Sequence, residues 1–139
     1  MDIDGLFTLA LEASGKSWSP YSHFRVGAAL QCVDGSVFTG TNIENRSFGL
    51  TTCAERNALA TAVGAGQRSF SLIVVATPDA EYPVSPCGAC RQVLSEFMAP
   101  EAAVIFGCSA KNLVVTTIGQ LFPYDALHEL GKNLEKPIR

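Results

Sequence analysis

The sequence predicts an α/β fold, a three-layer α/β/α sandwich on a mixed five-stranded sheet. Five short β-type segments lie between residues 24 and 117, and helix-type segments stand before, between and after them. One of the five, Leu72-Ile73-Val74-Val75-Ala76, is apolar without interruption, as a strand covered on both faces has to be. At 139 residues the chain is expected to form a single domain, 1–139.

Leu6, Leu9, Ala10 and Ala13 recur at helical spacing, so residues 3–16 read as an amphipathic helix closed by Gly15. Residues 24–30 alternate large apolar side chains with others, the period of a half-buried strand. Asp34-Gly35 then signals a tight hairpin, expected as type I′ with positive φ at both central residues. Val37, Thr39 and Thr41 continue the returning strand toward Asn42. From Cys53 to Val63 the composition is helical and stops at Gly64 and Gly66. Residues 88–98 form the next helix, opened by Pro86-Cys87. Residues 103–106 and 113–117 supply the last two strands; the tail from Tyr124 is expected to be helical and to loosen at Pro137.

Composition narrows the function. Charged residues make up 17% of the chain and hydrophobic residues 47%, so charge is scarce for covering the surface of a small domain, and self-association is expected. A net charge of −3 with no Lys/Arg run argues against binding a nucleic acid backbone. No apolar stretch has the length to span a membrane, the acidic start Met1-Asp2-Ile3-Asp4 lacks a signal-peptide pattern, and a cytoplasmic location is expected. Five cysteines, clustered and odd in number, suit a metal better than a disulfide framework.

Two motifs carry the chemistry: Cys53-Ala54-Glu55 and Pro86-Cys87-Gly88-Ala89-Cys90. Cys87 and Cys90, at i and i+3 of a helical turn, can reach one ion. A Cys-x-x-Cys alone fits a structural zinc or a redox pair as well, but Cys53 adds a third thiolate. Three protein ligands leave the fourth corner of tetrahedral Zn²⁺ for water, whereas a structural site needs four. The other candidates, Cys32, Cys108, His23 and His128, are not spaced as a second pair; the two cysteines sit in apolar runs and read as small buried hydrophobes. Glu55, two residues from a ligand, is placed to move protons on and off that water as a general acid and base. The alternative is a first-turn glutamate that only complements the helix dipole. Both helix starts point dipoles at the sulfurs, and Arg56 is a candidate for offsetting the negative charge of three thiolates. Zinc deaminases of nucleobases use this donor set.

Four ordered segments resemble the small homotetrameric cytidine deaminases: Pro20-Tyr21-Ser22-His23-Phe24-Arg25-Val26-Gly27-Ala28-Ala29-Leu30, Asn42-Ile43-Glu44-Asn45, Thr52-Cys53-Ala54-Glu55-Arg56 and Ser85-Pro86-Cys87-Gly88-Ala89-Cys90-Arg91-Gln92. The resemblance covers most of the chain. It implies that Phe24 packs on a pyrimidine ring, that Asn42 and Glu44 bind sugar hydroxyls, and that the backbone around Ala54 reads the base's amide edge. It also implies one zinc per subunit and sites completed by neighbouring subunits. Three positions depart from the family pattern. Phe48 replaces a usual tyrosine and Arg46 a usual small residue, while Ala126 stands where an aromatic lid residue is expected, with Phe122 and Tyr124 nearby. The expected activity is hydrolysis of cytidine and 2′-deoxycytidine to uridine and 2′-deoxyuridine plus ammonia, in pyrimidine salvage. Alternatives are another aminopyrimidine nucleoside such as blasticidin S, a polynucleotide editor, or a non-catalytic zinc module.

Overall fold

A computed structural model describes residues 1–132. Helix α1 (Ile3–Ser14) leads into strands β1 (Gly27–Cys32) and β2 (Val37–Thr41); helix α2 (Ala54–Gly64) precedes β3 (Phe70–Ala76). Helix α3 (Gly88–Ser95) connects to β4 (Met98–Gly107), and β5 (Val114–Thr117) runs into short helices α4 (Ile118–Leu121) and α5 (His128–Lys132). The sheet order is β2-β1-β3-β4-β5. β3 and β4 are parallel, joined through α3, and every other neighbouring pair is antiparallel. The mixed five-stranded sheet is therefore as expected.

The three layers follow from strand alternation. Leu6, Phe7 and Ala10 of α1 meet Ala29, Val74, Ala76 and Ile105 on one face. The neighbouring residues Ala28, Leu30, Ile73, Val75, Val104 and Phe106 point to the opposite face, where Ala58 and Ala62 of α2, Leu94 of α3 and Ile118 of α4 cover them. Two glycines let the helices lie against the strands. A Cβ on Gly27 would fall 1.8 Å from the Ala10 carbonyl oxygen of α1, and one on Gly40 would fall 2.3 Å from the Ala58 nitrogen of α2.

Several boundaries differ from the sequence expectation. α1 stops at Ser14, with Asp2 Oδ1 accepting from Gly5 N at 2.8 Å at its start. The hairpin forms, but only Gly35 has positive φ (90°), so the turn is not type I′. Gly35 N donates to Cys32 O and Cys32 N to Ser36 O, the three-residue loop with a left-handed glycine. α2 ends in a Schellman motif, Gln67 N to Ala62 O and Gly66 N to Val63 O, with Gly66 at φ 96°. α3 ends at Ser95, three residues early, because β4 already begins at Met98 to pair with Phe70. α4 is an additional helix, too short to show apolar periodicity in the sequence; Thr117 and Gln120 give it a capping box. Helix resumes only at His128, so Tyr124 lies in an irregular stretch, and Pro137 lies outside the described residues.

The register of β1 sets where a site can form. Gly27 pairs with Thr41 on one side and Ala76 on the other. The segment entering β1 and the segments leaving β2 and β3 therefore gather at one end of the sheet, and the chain leaving β3 runs on to α3.

Candidate metal centre and substrate face

Cys53 and Cys87 each occupy the N-cap position of a helix, α2 and α3, in extended backbone conformation. Cys90 follows one turn into α3 and is fully buried. The three sulfurs lie within 4.8 Å of one another, with Cys53 Sγ 3.8 Å from Cys87 Sγ. Thiolates ~2.3 Å from one tetrahedral ion stand about 3.8 Å apart, so the spacing suits Zn²⁺. Among the described residues this is the group of three or more His, Cys, Asp or Glu donors that converges as a metal site. Cys32 is buried in the sheet core instead, and Cys108 accepts from Asn112 Nδ2 in the loop after β4.

The electrostatics favour negative sulfur here. Hydrogen bonds from the Cys90 thiol and the Arg56 guanidinium bring the Cys53 thiol down to about 5. Cys90 is pushed up, because without a cation it serves as donor to the Cys53 thiolate and is itself desolvated. A divalent ion removes that conflict by accepting all three as thiolates. Arg56 Nη2 donates to Cys53 Sγ at 3.3 Å, and its Nε is buried with no hydrogen-bond partner among the described residues. The guanidinium is thus held mainly by the charge of the sulfurs. Glu55, in the first turn of α2, is 4% exposed and is not one of the three converging donors, but its carboxylate is hydrogen-bonded by the Cys90 thiol. Burial is the main force pushing its carboxyl up to about 7, and the negative Cys53 sulfur adds to it.

Arg91, outside the metal cluster, locks the Cys87 loop. Its Nε donates to Pro86 O at 2.8 Å, Nη2 to Ser85 Oγ at 2.9 Å and Nη1 to Leu121 O at 2.8 Å. Gly40, by admitting α2 onto β2, sets the height of Cys53 and Glu55 above the sheet.

The segment entering β1 forms the facing wall. The sequence places a strand from residue 24, but β1 starts at Gly27, because side chains satisfy the preceding backbone. Asn42 Oδ1 accepts from Val26 N at 2.9 Å and from Ser17 Oγ at 2.6 Å, while Asn42 Nδ2 donates to Phe24 O at 2.8 Å. Glu44 accepts from Tyr21 N, Ser22 N and Ser22 Oγ. Phe24 is half-buried between these anchors, and His23 before it has φ 57°. Asn42 and Glu44 are thus engaged with the protein itself. An amide has two N–H donors and a carboxylate about four acceptor positions, so one Asn42 N–H and one Glu44 lone pair stay available. Ala54 is fully buried at the first position of α2, a helix start that receives no side-chain capping hydrogen bond.

Arg46 and Phe48 are exposed, and Phe48 meets Tyr21 edge-on at 5.7 Å between ring centroids. Phe122, Tyr124 and Ala126 line a cavity of about 700 Å³ with Met98, Pro100 and Ile118, away from the cysteines. Sequence reasoning missed Asp79, whose carboxylate accepts from Arg25 N and from its guanidinium, as well as Arg91 and Gly40. The partners of Asp79 and Gly40 come from distant parts of the chain, and no local pattern marks them; Arg91 sits inside a motif but carries no motif chemistry.

Fold and sulfur geometry together define the class, an α/β zinc protein with three protein thiolates rather than a closed set of four. The family described as the cytidine and deoxycytidylate deaminase zinc-binding region matches residues 2–108. The chain is 45% identical over 123 residues to a cytidine deaminase of Halalkalibacterium halodurans, covering 88% of this chain and 92% of that one. It is 38% identical over 105 residues to a blasticidin-S deaminase of Bacillus cereus, covering 70% and 74% respectively. The crystal structure of cytidine deaminase from Burkholderia pseudomallei matches with a TM-score of 0.84 at 44% identity, over 88% of this chain and 98% of that one. The chain belongs to the cytidine and deoxycytidylate deaminase family.

Proposed function

We propose that this protein is a cytidine deaminase that converts cytidine and 2′-deoxycytidine to uridine and 2′-deoxyuridine in pyrimidine salvage. One observation carries the chemical part of that reading: a buried carboxyl, Glu55, two residues from one of three converging cysteine sulfurs. Bound by Cys53, Cys87 and Cys90, zinc supplies Lewis acidity that lowers the pKa of water from about 15.7 toward 7. Glu55 takes one proton of the attacking water on a carboxylate oxygen and gives it to the ring nitrogen, then carries the second, from the new hydroxyl, to the departing amine. One C–O bond forms, one C–N bond breaks, and water is exchanged for ammonia. Burial supports this role, because a carboxyl that titrates near neutrality both accepts and gives a proton there. Arg56 offsets thiolate charge through its hydrogen bond to Cys53.

Phe24 packs on the pyrimidine, and the backbone N–H groups at Ala54 face its amide edge. The spare Asn42 N–H and Glu44 lone pair match a sugar diol, which offers both acceptors and donors. The likeness to H. halodurans cytidine deaminase supports the substrate. The B. cereus blasticidin-S deaminase supplies the runner-up, deamination of that aminopyrimidine nucleoside. A polynucleotide substrate finds no support in a chain of net charge −3, whose described helices and strands carry no basic stripe.

The whole chain acts as one domain, and we assign it a homotetramer in a reducing cytoplasm. Five free cysteines support the compartment, and no described helix is long and apolar enough to cross a membrane. Trp18, Phe48, Leu50 and Tyr124, all more than half exposed, support the assembly, because large apolar groups left bare mark contact surfaces. A sedimentation mass near the 14.7 kDa of one chain would overturn the tetramer.

The deciding experiment follows the ultraviolet spectrum of cytidine mixed with zinc-loaded protein, with Glu55→Gln and blasticidin S in parallel. Conversion of cytidine by the wild type and not by the variant supports the reaction and the role of Glu55. A static cytidine spectrum beside conversion of blasticidin S replaces the substrate.

A further inference from the structure

We infer that Asp79, on the chain leaving β3, is a positioning residue for substrate binding that holds the backbone presenting Phe24. The inference rests on the proposed packing of Phe24 against the pyrimidine.

Residues 21–26 lie outside any ladder, yet each of their backbone N–H groups has a partner. His23 N uses the Ser19 carbonyl, Tyr21 and Ser22 use Glu44, Phe24 uses Ser22 Oγ, and Val26 uses Asn42. Arg25 N donates to Asp79 Oδ2 at 2.9 Å. Five of these six N–H groups are therefore satisfied by side chains, a sign that the conformation is imposed from outside. Glu44 and Asn42 both come from the strand extension after β2. Among the described residues, Asp79 alone anchors the segment from the β3 side, 54 residues away.

The same carboxylate accepts from Arg25 Nε at 3.0 Å and Nη2 at 2.6 Å, so backbone and guanidinium of one residue close on one acid. The Arg25 and Asp79 side chains are 49% and 25% exposed, and an ion pair so exposed adds little to stability. Its consequence is geometric. His23 sits in the left-handed region at φ 57°, a conformation uncommon outside glycine, and Phe24 follows directly. Asp79 supplies the restraint on the far side of Phe24, so the ring is pre-set before the nucleoside arrives and binding does not have to order it.

The test measures KM, kcat and inhibition by uridine for zinc-loaded wild type, Asp79→Ala, Asp79→Asn and Phe24→Ala, with amide hydrogen exchange across the chain. Asp79→Ala should raise KM and the uridine inhibition constant together by about tenfold with kcat within about twofold, as lost preorganisation does. Exchange should accelerate at residues 22–26 and stay unchanged in α2 and α3. Asp79→Asn, which keeps an acceptor for Arg25 N–H, should restore part of both effects. Wild-type KM in Asp79→Ala beside a raised KM in Phe24→Ala overturns this inference alone. Wild-type KM in Phe24→Ala overturns the pyrimidine packing and the inference with it. Accelerated exchange throughout the molecule in Asp79→Ala overturns a positioning role in favour of general destabilisation.

Discussion

The two walls of the site are built in opposite ways. On the metal side, Cys53, Glu55, Cys87 and Cys90 lie at the starts of two helices, Cys53 placed by α2 and the other two ligands by α3. On the substrate side, residues 21–26 have no regular structure and take their shape from Glu44, Asn42 and Asp79, all distant in sequence. The contrast teaches that the metal centre depends on local geometry resting on a rigid core, while the proposed recognition of the base would depend on a network of long-range hydrogen bonds around a half-buried ring. Damage to the first should abolish chemistry; damage to the second should loosen binding.

Removing the metal is the strongest test of that division. A thiophilic chelator should abolish activity entirely while far-UV circular dichroism persists, because the apolar clusters on the two sheet faces exclude Cys53 and Cys87. Loss of the helical and strand signal on chelation would show that metal and fold are inseparable, as in zinc modules that fold only on binding. Next in size, Glu55→Gln should lower kcat by roughly 10²–10⁴-fold, the usual worth of a positioned acid-base group, with zinc retained stoichiometrically by elemental analysis.

Gly40→Ala probes the support beneath the metal wall. Its Cβ meets backbone atoms of α2, so the helix has to shift, and a loss of about 1–3 kcal/mol in urea unfolding is expected together with weaker zinc retention. Unchanged stability would show that α2 can move freely against β2. Asn42→Ala should cost about 1–3 kcal/mol as well, since it leaves the Val26 N–H and the Phe24 carbonyl unpaired. In contrast to Glu55→Gln, its kinetic effect should appear mostly in KM. Arg56→Ala closes the series. It should reduce activity about 10–100-fold, the range for residues that tune a metal's ligands, with little change in unfolding midpoint. Equal activity would show that Arg56 is dispensable to the sulfurs.

The strand and helix segments along the chain and the metal motifs could be read from the chain alone, because both are short-range. Alternation with period two, helical spacing of alanines and leucines, and a Cys-x-x-Cys turn are properties of neighbours, and local backbone geometry carries them directly into the fold. Glu55 beside Cys53 belongs to the same category. The exceptions occur where a distant group competes with a local preference. Residues 24–26 alternate like a strand, yet Asn42 and Asp79 take their backbone hydrogen bonds and β1 begins only at Gly27. α3 has a sequence able to run to residue 98, but Met98 is claimed by Phe70 across the sheet. Asp34-Gly35 forms the turn its composition signals, and Asp34 sets its type by accepting from both Ser36 N and Ser36 Oγ. Gly40 looks like an ordinary strand glycine until α2 is laid across it, and the 54-residue reach from Arg25 to Asp79 leaves no trace in any sequence window. Periodicity and ligand spacing are written into consecutive residues; the pairing of segments that meet only after the sheet closes is not, and that pairing shapes the substrate face.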